Sequence, residues 1–265
     1  MKPFLIAATT GALGLLLGLT GCKKDADMPA GQTGVFTLHL EHMVGPANLV
    51  LNTASYKNAN GDDFTVSTFK YYLSNVLLRK ADGSSYAVPN SYFLVSQDDA
   101  STQDLTMKGV PVGDYTGLTF TVGVDSARTK AGGFTGGVLD ANNGMYWDMN
   151  GPEFINLKLE GYSPQAPHAT LATTGGLIFH LAGYKHSTTT NTIRTVTLPF
   201  PGVNLLVRTD HSPEIHTQVD VARLFAAPNP VSFAKTNNVM GGLPAAKIAD
   251  NMVSGMFSVE HIHAN

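Results

Sequence analysis

Apolar side chains recur at every second position through much of this chain, and that two-residue period constrains its fold more than any other feature. In Val35–His42, Phe36, Leu38 and Leu40 point one way and Thr37, His39 and Glu41 the other, as in a half-buried strand. The alternation returns in Tyr115–Val124, where Leu118, Phe120, Val122 and Val124 share a face. Phe64–Lys70, Tyr71–Arg79, Phe154–Gly161, Leu177–Ala182, Arg194–Phe200 and Asn204–Thr209 read as further strands. Turn residues separate them: Asn60-Gly61-Asp62-Asp63 precedes Phe64, and Asp82-Gly83 is a hairpin signal before Tyr86-Ala87-Val88. The chain carries 27 Gly and 14 Pro, and no helical pattern runs beyond about three turns. Ala245–Asn251 and Val219–Phe225 are the candidates for short helices. The fold class is therefore all-β: a single antiparallel β-sandwich domain with long loops, of two packed sheets. A long Gly- and Asn-rich loop, Gly132–Gly144, leads into the one tryptophan, Trp147.

The N-terminus has a different character. Lys2 is followed by an apolar run from Phe4 to Leu19, closed by Leu19-Thr20-Gly21-Cys22. A charged start, an apolar middle and small residues at the cut describe a secretory signal. The run falls short of the ~20 residues a spanning helix needs. The closing tetrapeptide is similar to a bacterial lipobox, whose cysteine accepts a diacylglycerol. Residues 1–21 are thus expected to be removed, Cys22 to be lipidated, and 22–34 to form a flexible polar tether. The domain then spans 35–265, anchored by lipid in the cell envelope: outer membrane, periplasmic or surface-exposed. The charged stretch after the cysteine is similar to export signals of Bacteroidetes-type lipoproteins.

Composition narrows the chemistry. The chain has 17 Lys and Arg against 20 Asp and Glu, a mildly acidic balance that disfavours nucleic acid. Cys22 is the sole cysteine, so disulfides and thiolate metal sites are excluded once it is lipidated. A metal would have to be held by His, Met, carboxylate or carbonyl groups.

Nine histidines supply candidates. His261 and His263 lie at i and i+2 in Phe257-Ser258-Val259-Glu260-His261-Ile262-His263, on one face of a regular strand and about 7 Å apart. His39 and His42, three apart, face opposite ways unless a bulge intervenes. His180 sits in an apolar strand, where a buried hydrogen-bonded imidazole is the plain expectation. His168, His186, His211 and His216 read as isolated surface or core histidines. The His-x-His pair suggests a cupin, but only Ala264 and Asn265 follow it, and the order of the remaining ligands is wrong. Glu153 with Glu160, and Asp98 with Asp99, read as solvated acids rather than a glycosidase pair. No nucleophile elbow, phosphate loop or dinucleotide fingerprint is present. The expectation is a binding protein and not an enzyme.

Several segments together carry a family resemblance: Phe69-Lys70-Tyr71-Tyr72-Leu73-Ser74-Asn75-Val76, Val110-Pro111-Val112-Gly113-Asp114-Tyr115, Phe120–Ser126, Gly144-Met145-Tyr146-Trp147, Lys158-Leu159-Glu160-Gly161 and Phe257–His263. In order and spacing the chain resembles the MbnP-like family, copper-binding partner proteins of methanobactin clusters. The resemblance implies a β-sandwich holding copper through histidines, with His42, His261, His263, His39 and His180 as carried-over ligands. It also implies a di-haem cytochrome c peroxidase-like partner that oxidises a tryptophan to kynurenine, whose amine joins the copper; Trp147 is the residue available. Many relatives carry a second Trp two positions on, then Gly-Tyr; here Met149 and Gly151-Pro152 stand there. Met149 offers a thioether for Cu(I) instead.

The expected function is a copper-binding envelope lipoprotein, and the alternative a metal-free surface module for a glycan or protein ligand. For the site to form, strand 257–263 is expected to lie beside strand 35–42. Trp147 is expected at or near the surface, where an external oxidant reaches it.

Overall fold

The computed structural model describes residues 31–132, 134–147, 153–167, 176–184, 190–200 and 202–263. The signal segment, Cys22, Asp148, Met149, His168 and His186 lie outside the described residues. No helix among those described is long and apolar enough to cross a membrane.

Among the described residues, two sheets make up the domain. The smaller is ordered Phe257–His263, Glu214–Asp220, Thr33–Val44, with Asp104–Pro111 and Ala47–Asn48 both pairing with Thr33–Val44. The larger runs Arg194–Pro199, Gly113–Val122, Asp63–Lys80, Glu153–Tyr162, Gly176–Ala182, Asn238–Val239, with short strands added along it. Thr33–Val44 alternates without a break, burying Phe36, Leu38, Leu40, His42 and Val44. Against them stand Phe69, Tyr71, Leu73, Phe120, Leu157, Leu159 and Phe179 of the large sheet, in one continuous core. Phe257 of the small sheet meets the Phe120 ring edge-on at 5.1 Å, locking the sheets together. The helix Gly242–Met252 has Pro244 in its first turn, where a missing N–H costs nothing. It buries Ala245, Ile248, Ala249 and Met252 at helical spacing.

The all-β sandwich read from the sequence is what the chain forms. Phe64–Lys70 and Tyr71–Arg79 are one strand, Asp63–Lys80, bent where its register slips between Ser74 and Leu77. Asn75 takes φ 53° there, a left-handed conformation that asparagine tolerates. Asp82-Gly83 turns the chain into Ser85–Ala87 as expected. Val219 and Asp220 end a strand, so the expected helix shrinks to the 3-10 turn Val221–Phe225. The sheets are mixed and not purely antiparallel as expected: among the described residues Thr33–Val44 pairs parallel with Glu214–Asp220, and Gly176–Ala182 with Asn238–Val239, because each pair is joined by a long connection and not a hairpin. The expected place of the C-terminal strand also fails. Strand Phe257–His263 does not lie beside Thr33–Val44, because Glu214–Asp220 pairs with both and separates them.

A smaller apolar cluster lies on the far side of the large sheet. Tyr72, Val124, Leu139, Met145, Phe154, Ile155 and Ala182 form it, with Phe134, Tyr146 and Trp147 packed against them. The Gly-rich loop therefore covers the outer face of this sheet.

Candidate metal centre

The outward face of the small sheet gathers imidazoles because three strands present one residue each in register. His39 pairs with His216, and His216 with His261. Two residues along, Thr37, Glu214 and His263 form the next row. In Glu214–Asp220 the alternation buries Ile215, Thr217 and Val219 and turns Glu214, His216 and Gln218 outward. The C-terminal strand reaches the same face through an irregularity. Phe257 pairs with Val219 and Val259 with Thr217 on the inward side, and strict alternation would turn His261 and His263 inward as well. The register shifts between His216 and Thr217, leaving Glu260 unpaired. That bulge changes the phase, so Ile262 opposes Ile215 and both histidines face out.

Ligand atoms of His216, His261 and His263 all lie within 4.8 Å of one another. His216 Nε2 is 2.7 Å from His263 Nε2 and 2.7 Å from Glu214 Oε1. The His216 and His261 rings stack, with centroids 4.3 Å apart and planes at 15°. His39 flanks the trio, its ring 4.8 Å from that of His216. Asp104 accepts a hydrogen bond from His39 Nδ1 at 2.6 Å, which leaves Nε2 with the lone pair. Partial burial holds the His216 pKa below its ordinary value; Glu214 opposes the shift, and His261, His39 and His263 reinforce it. A neutral imidazole is the form that ligates. These donors fit a copper or zinc ion: imidazole and carboxylate suit both metals. Two nitrogens bound tetrahedrally at 2.0–2.1 Å stand about 3.3 Å apart, so the His216–His263 pair need open by only about half an ångström.

The other expected ligands are elsewhere. His42 faces the core, 3% exposed. Its Nδ1 donates to Gln97 Oε1 at 2.6 Å, and Gln97 is oriented by its own amide bond to the Leu49 carbonyl. Tyr71 donates its hydroxyl to His42 Nε2 at 3.1 Å. Burial depresses the His42 pKa to about 4, against a partial rise from Gln97. Both nitrogens are engaged, and the inward phase of residue 42 keeps this ring off the outward face.

His180 belongs to the large sheet. Its neighbours Phe179 and Leu181 face the main core, so His180 lies on the outer side with its ladder partner Lys158. Glu160 accepts from His180 Nε2 at 2.7 Å, and Lys158 Nζ lies 3.4 Å from the same carboxylate oxygen. Burial would raise the Glu160 carboxyl, but the His180 bond and the Lys158 charge hold it below its usual value. Burial also lowers the His180 pKa. His180 Nδ1 is buried with no hydrogen-bond partner among the described residues. Trp147, half-buried, sits with its ring 5.8 Å from that of His180. The small-sheet histidines and His180 thus occupy opposite outer faces of the sandwich, separated by a core about 10 Å thick. A modified Trp147 and the His216 trio cannot share an ion.

His216 is the member that sequence reasoning passed over. Ile215, Thr217 and Val219 alternate around it, but Thr217 weakens the apolar signal and Glu214, Gln218 and Asp220 give the segment a loop-like composition. His211 fits its plain reading, bonded to Asp210 and the Leu206 carbonyl. Asp98 is engaged by Ser96 and lies 3.5 Å from Lys70 Nζ, a local surface network.

A model of the MbnP family matches residues 33–241. That span includes His39, Trp147, His180 and His216 and stops short of His261 and His263. Among solved structures, MbnP from Methylosinus trichosporium is similar in fold, with a TM-score of 0.50 at 12% identity over 81% of this chain and 87% of that one. No curated protein matches.

Proposed function

The chain belongs to the MbnP family, and from that footing we propose that it is a copper-binding lipoprotein of the cell envelope whose ion is held by His216, His261 and His263. Copper is the ion that the family resemblance implies. The observation that carries the reading is the convergence of three imidazoles from two adjacent strands within 4.8 Å. An interaction surface for a glycan or protein has no need of nitrogens at ligating distance, so the metal reading is preferred. It is a binding role and not an enzymatic one. Cys22 would supply the anchor and residues 23–32 the reach to the membrane, two residues shorter than the expected tether because Thr33 and Gly34 already pair with Pro111 and Val110 in the small sheet.

Oxidation of Trp147 by a di-haem cytochrome c peroxidase-like partner forms a second, separate part of the proposal. Its support is the partial exposure of Trp147 and its approach to His180, whose Nδ1 has no partner among the described residues. An aromatic amine formed at residue 147 would stand near the His180 ring on the large-sheet face. Mass spectrometry of peptide 131–158 from copper-replete native cells tests this part: a kynurenine mass is expected, and intact tryptophan in cells holding the partner overturns it.

The metal reading is tested by titrating the mature protein with Cu(I) and Cu(II) in competition with chelators. Binding tighter than roughly micromolar, lost in His261→Ala with His263→Ala, is the expected result. Weak binding that the double substitution leaves unchanged would sink it.

A further inference from the structure

Glu214 stands among the nitrogens in a way that hydrogen bonding satisfies only by sharing one His216 hydrogen, bent, between two acceptors. Its Oε1 is 2.7 Å from His216 Nε2 and 3.5 Å from His263 Nε2, while those two nitrogens are 2.7 Å from each other. A neutral imidazole nitrogen offers either one hydrogen or one lone pair. If His216 Nε2 donates to the carboxylate, it cannot also accept from His263. If it accepts from His263, its lone pair faces a carboxylate that is itself only an acceptor. One cation at the centre of the triangle would take all three lone pairs together.

The position also separates Glu214 from an orienting residue. A carboxylate that orients a metal-binding histidine holds the nitrogen turned away from the metal. Asp104 holds His39 Nδ1 in that manner. Glu214 instead meets the two nitrogens that face each other. It is placed there by the fold: two residues before His216 on the same strand face, and directly opposite His263 in the ladder.

No sulfur competes for the site among the described residues of this face. The outward side of Thr33–Val44 runs His39, Glu41, Met43, which sets Met43 about 13 Å along the strand from His39. A carboxylate oxygen is a hard donor. Cu(I) is selected by thiolate and thioether, whereas Cu(II) and Zn(II) accept mixed imidazole and carboxylate sets.

On the reading that this cluster binds metal, we propose that Glu214 is its fourth ligand and makes it a centre of three imidazoles and one carboxylate that favours divalent ions, Cu(II) and Zn(II), over Cu(I). Glu214 is 30% exposed in its side chain, so Glu214→Gln keeps the shape without threatening the fold; equal melting temperatures check this. Affinities for Cu(II), Zn(II) and, under reducing conditions, Cu(I) are measured by chelator competition for wild type, Glu214→Gln and His261→Ala with His263→Ala. Glu214→Gln should weaken Cu(II) and Zn(II) by about tenfold or more and leave Cu(I) within about twofold. The electron paramagnetic resonance spectrum of its Cu(II) form should shift toward an all-nitrogen set. An equal loss for all three ions, or no loss for Cu(II) and Zn(II), overturns the role of Glu214 while the double-histidine variant still loses metal. Wild-type affinity in the double-histidine variant removes the centre itself, and this inference with it.

Discussion

Each outer face of the sandwich carries an imidazole next to a carboxylate, and the two faces differ in number and in cover. On the small sheet, His216 and Glu214 are joined by His261 and His263, both about half exposed in their side chains. On the large sheet, Glu160 and Lys158 flank a single His180, and the Trp147 ring stands 5.8 Å from it. The first arrangement offers converging lone pairs to an ion from solution. The second offers one buried nitrogen and an aromatic neighbour. Strand register decides this. Three registered strands each place a histidine on the small-sheet face, whereas the strand pairing with Gly176–Ala182 on the large sheet places Lys158 and Glu160 near His180.

The contrast can be broken most sharply by removing imidazoles from the open face. His261→Ala with His263→Ala should bring Cu(II) binding to weaker than roughly micromolar, read by chelator competition, and leave the melting temperature of the metal-free protein nearly unchanged, since both residues are exposed.

His42 should behave oppositely, affecting stability and not metal. Its folded pKa of about 4 lies below the ordinary 6.5. Above pH 6.5 neither state binds the proton. As pH falls toward 4 the unfolded chain takes it up and the folded protein does not, so stability is lost across that window and no further below it. Between about pH 7.5 and about pH 4.5 the loss from this residue is roughly 2–3 kcal/mol. Urea unfolding at both pH values should show His42→Gln with a smaller pH dependence than wild type and unaltered Cu(II) affinity.

Metal removal should have a smaller effect. With free ion at about twenty times Kd, binding contributes about 1.8 kcal/mol. Chelation should lower the melting temperature accordingly without unfolding the sandwich, as seen by circular dichroism and calorimetry. Smallest is His180→Ala, expected to cost about 1 kcal/mol through the lost Glu160 bond and to leave the affinity of the small-sheet site as it was.

Much of the scaffold was legible because alternation and turn chemistry are local signals. Val35–His42 and Tyr115–Val124 announce their buried faces residue by residue, and Asp82-Gly83 announces its hairpin. The site was legible only in part. His261 and His263 were found by their spacing, yet the reason they face solvent is the Glu260 bulge. Its sequence trace is the step from Phe257 and Val259 to Ile262, three positions where two would continue the strand. His39 and His42 were separated correctly by alternation, but which of the two faced the cluster depended on the core. His216 was missed because pairing between residues 39 and 216 is long-range and parallel, and a polar strand flanked by Asp210-His211-Ser212-Pro213 resembles a loop.

The most direct test is the crystal structure of the Cu(II)-loaded protein, with anomalous scattering collected at the copper edge. A single strong peak about 2.0–2.2 Å from nitrogens of His216, His261 and His263 is the expected result. A peak between His180 and residue 147 with none at the small-sheet face would contradict it.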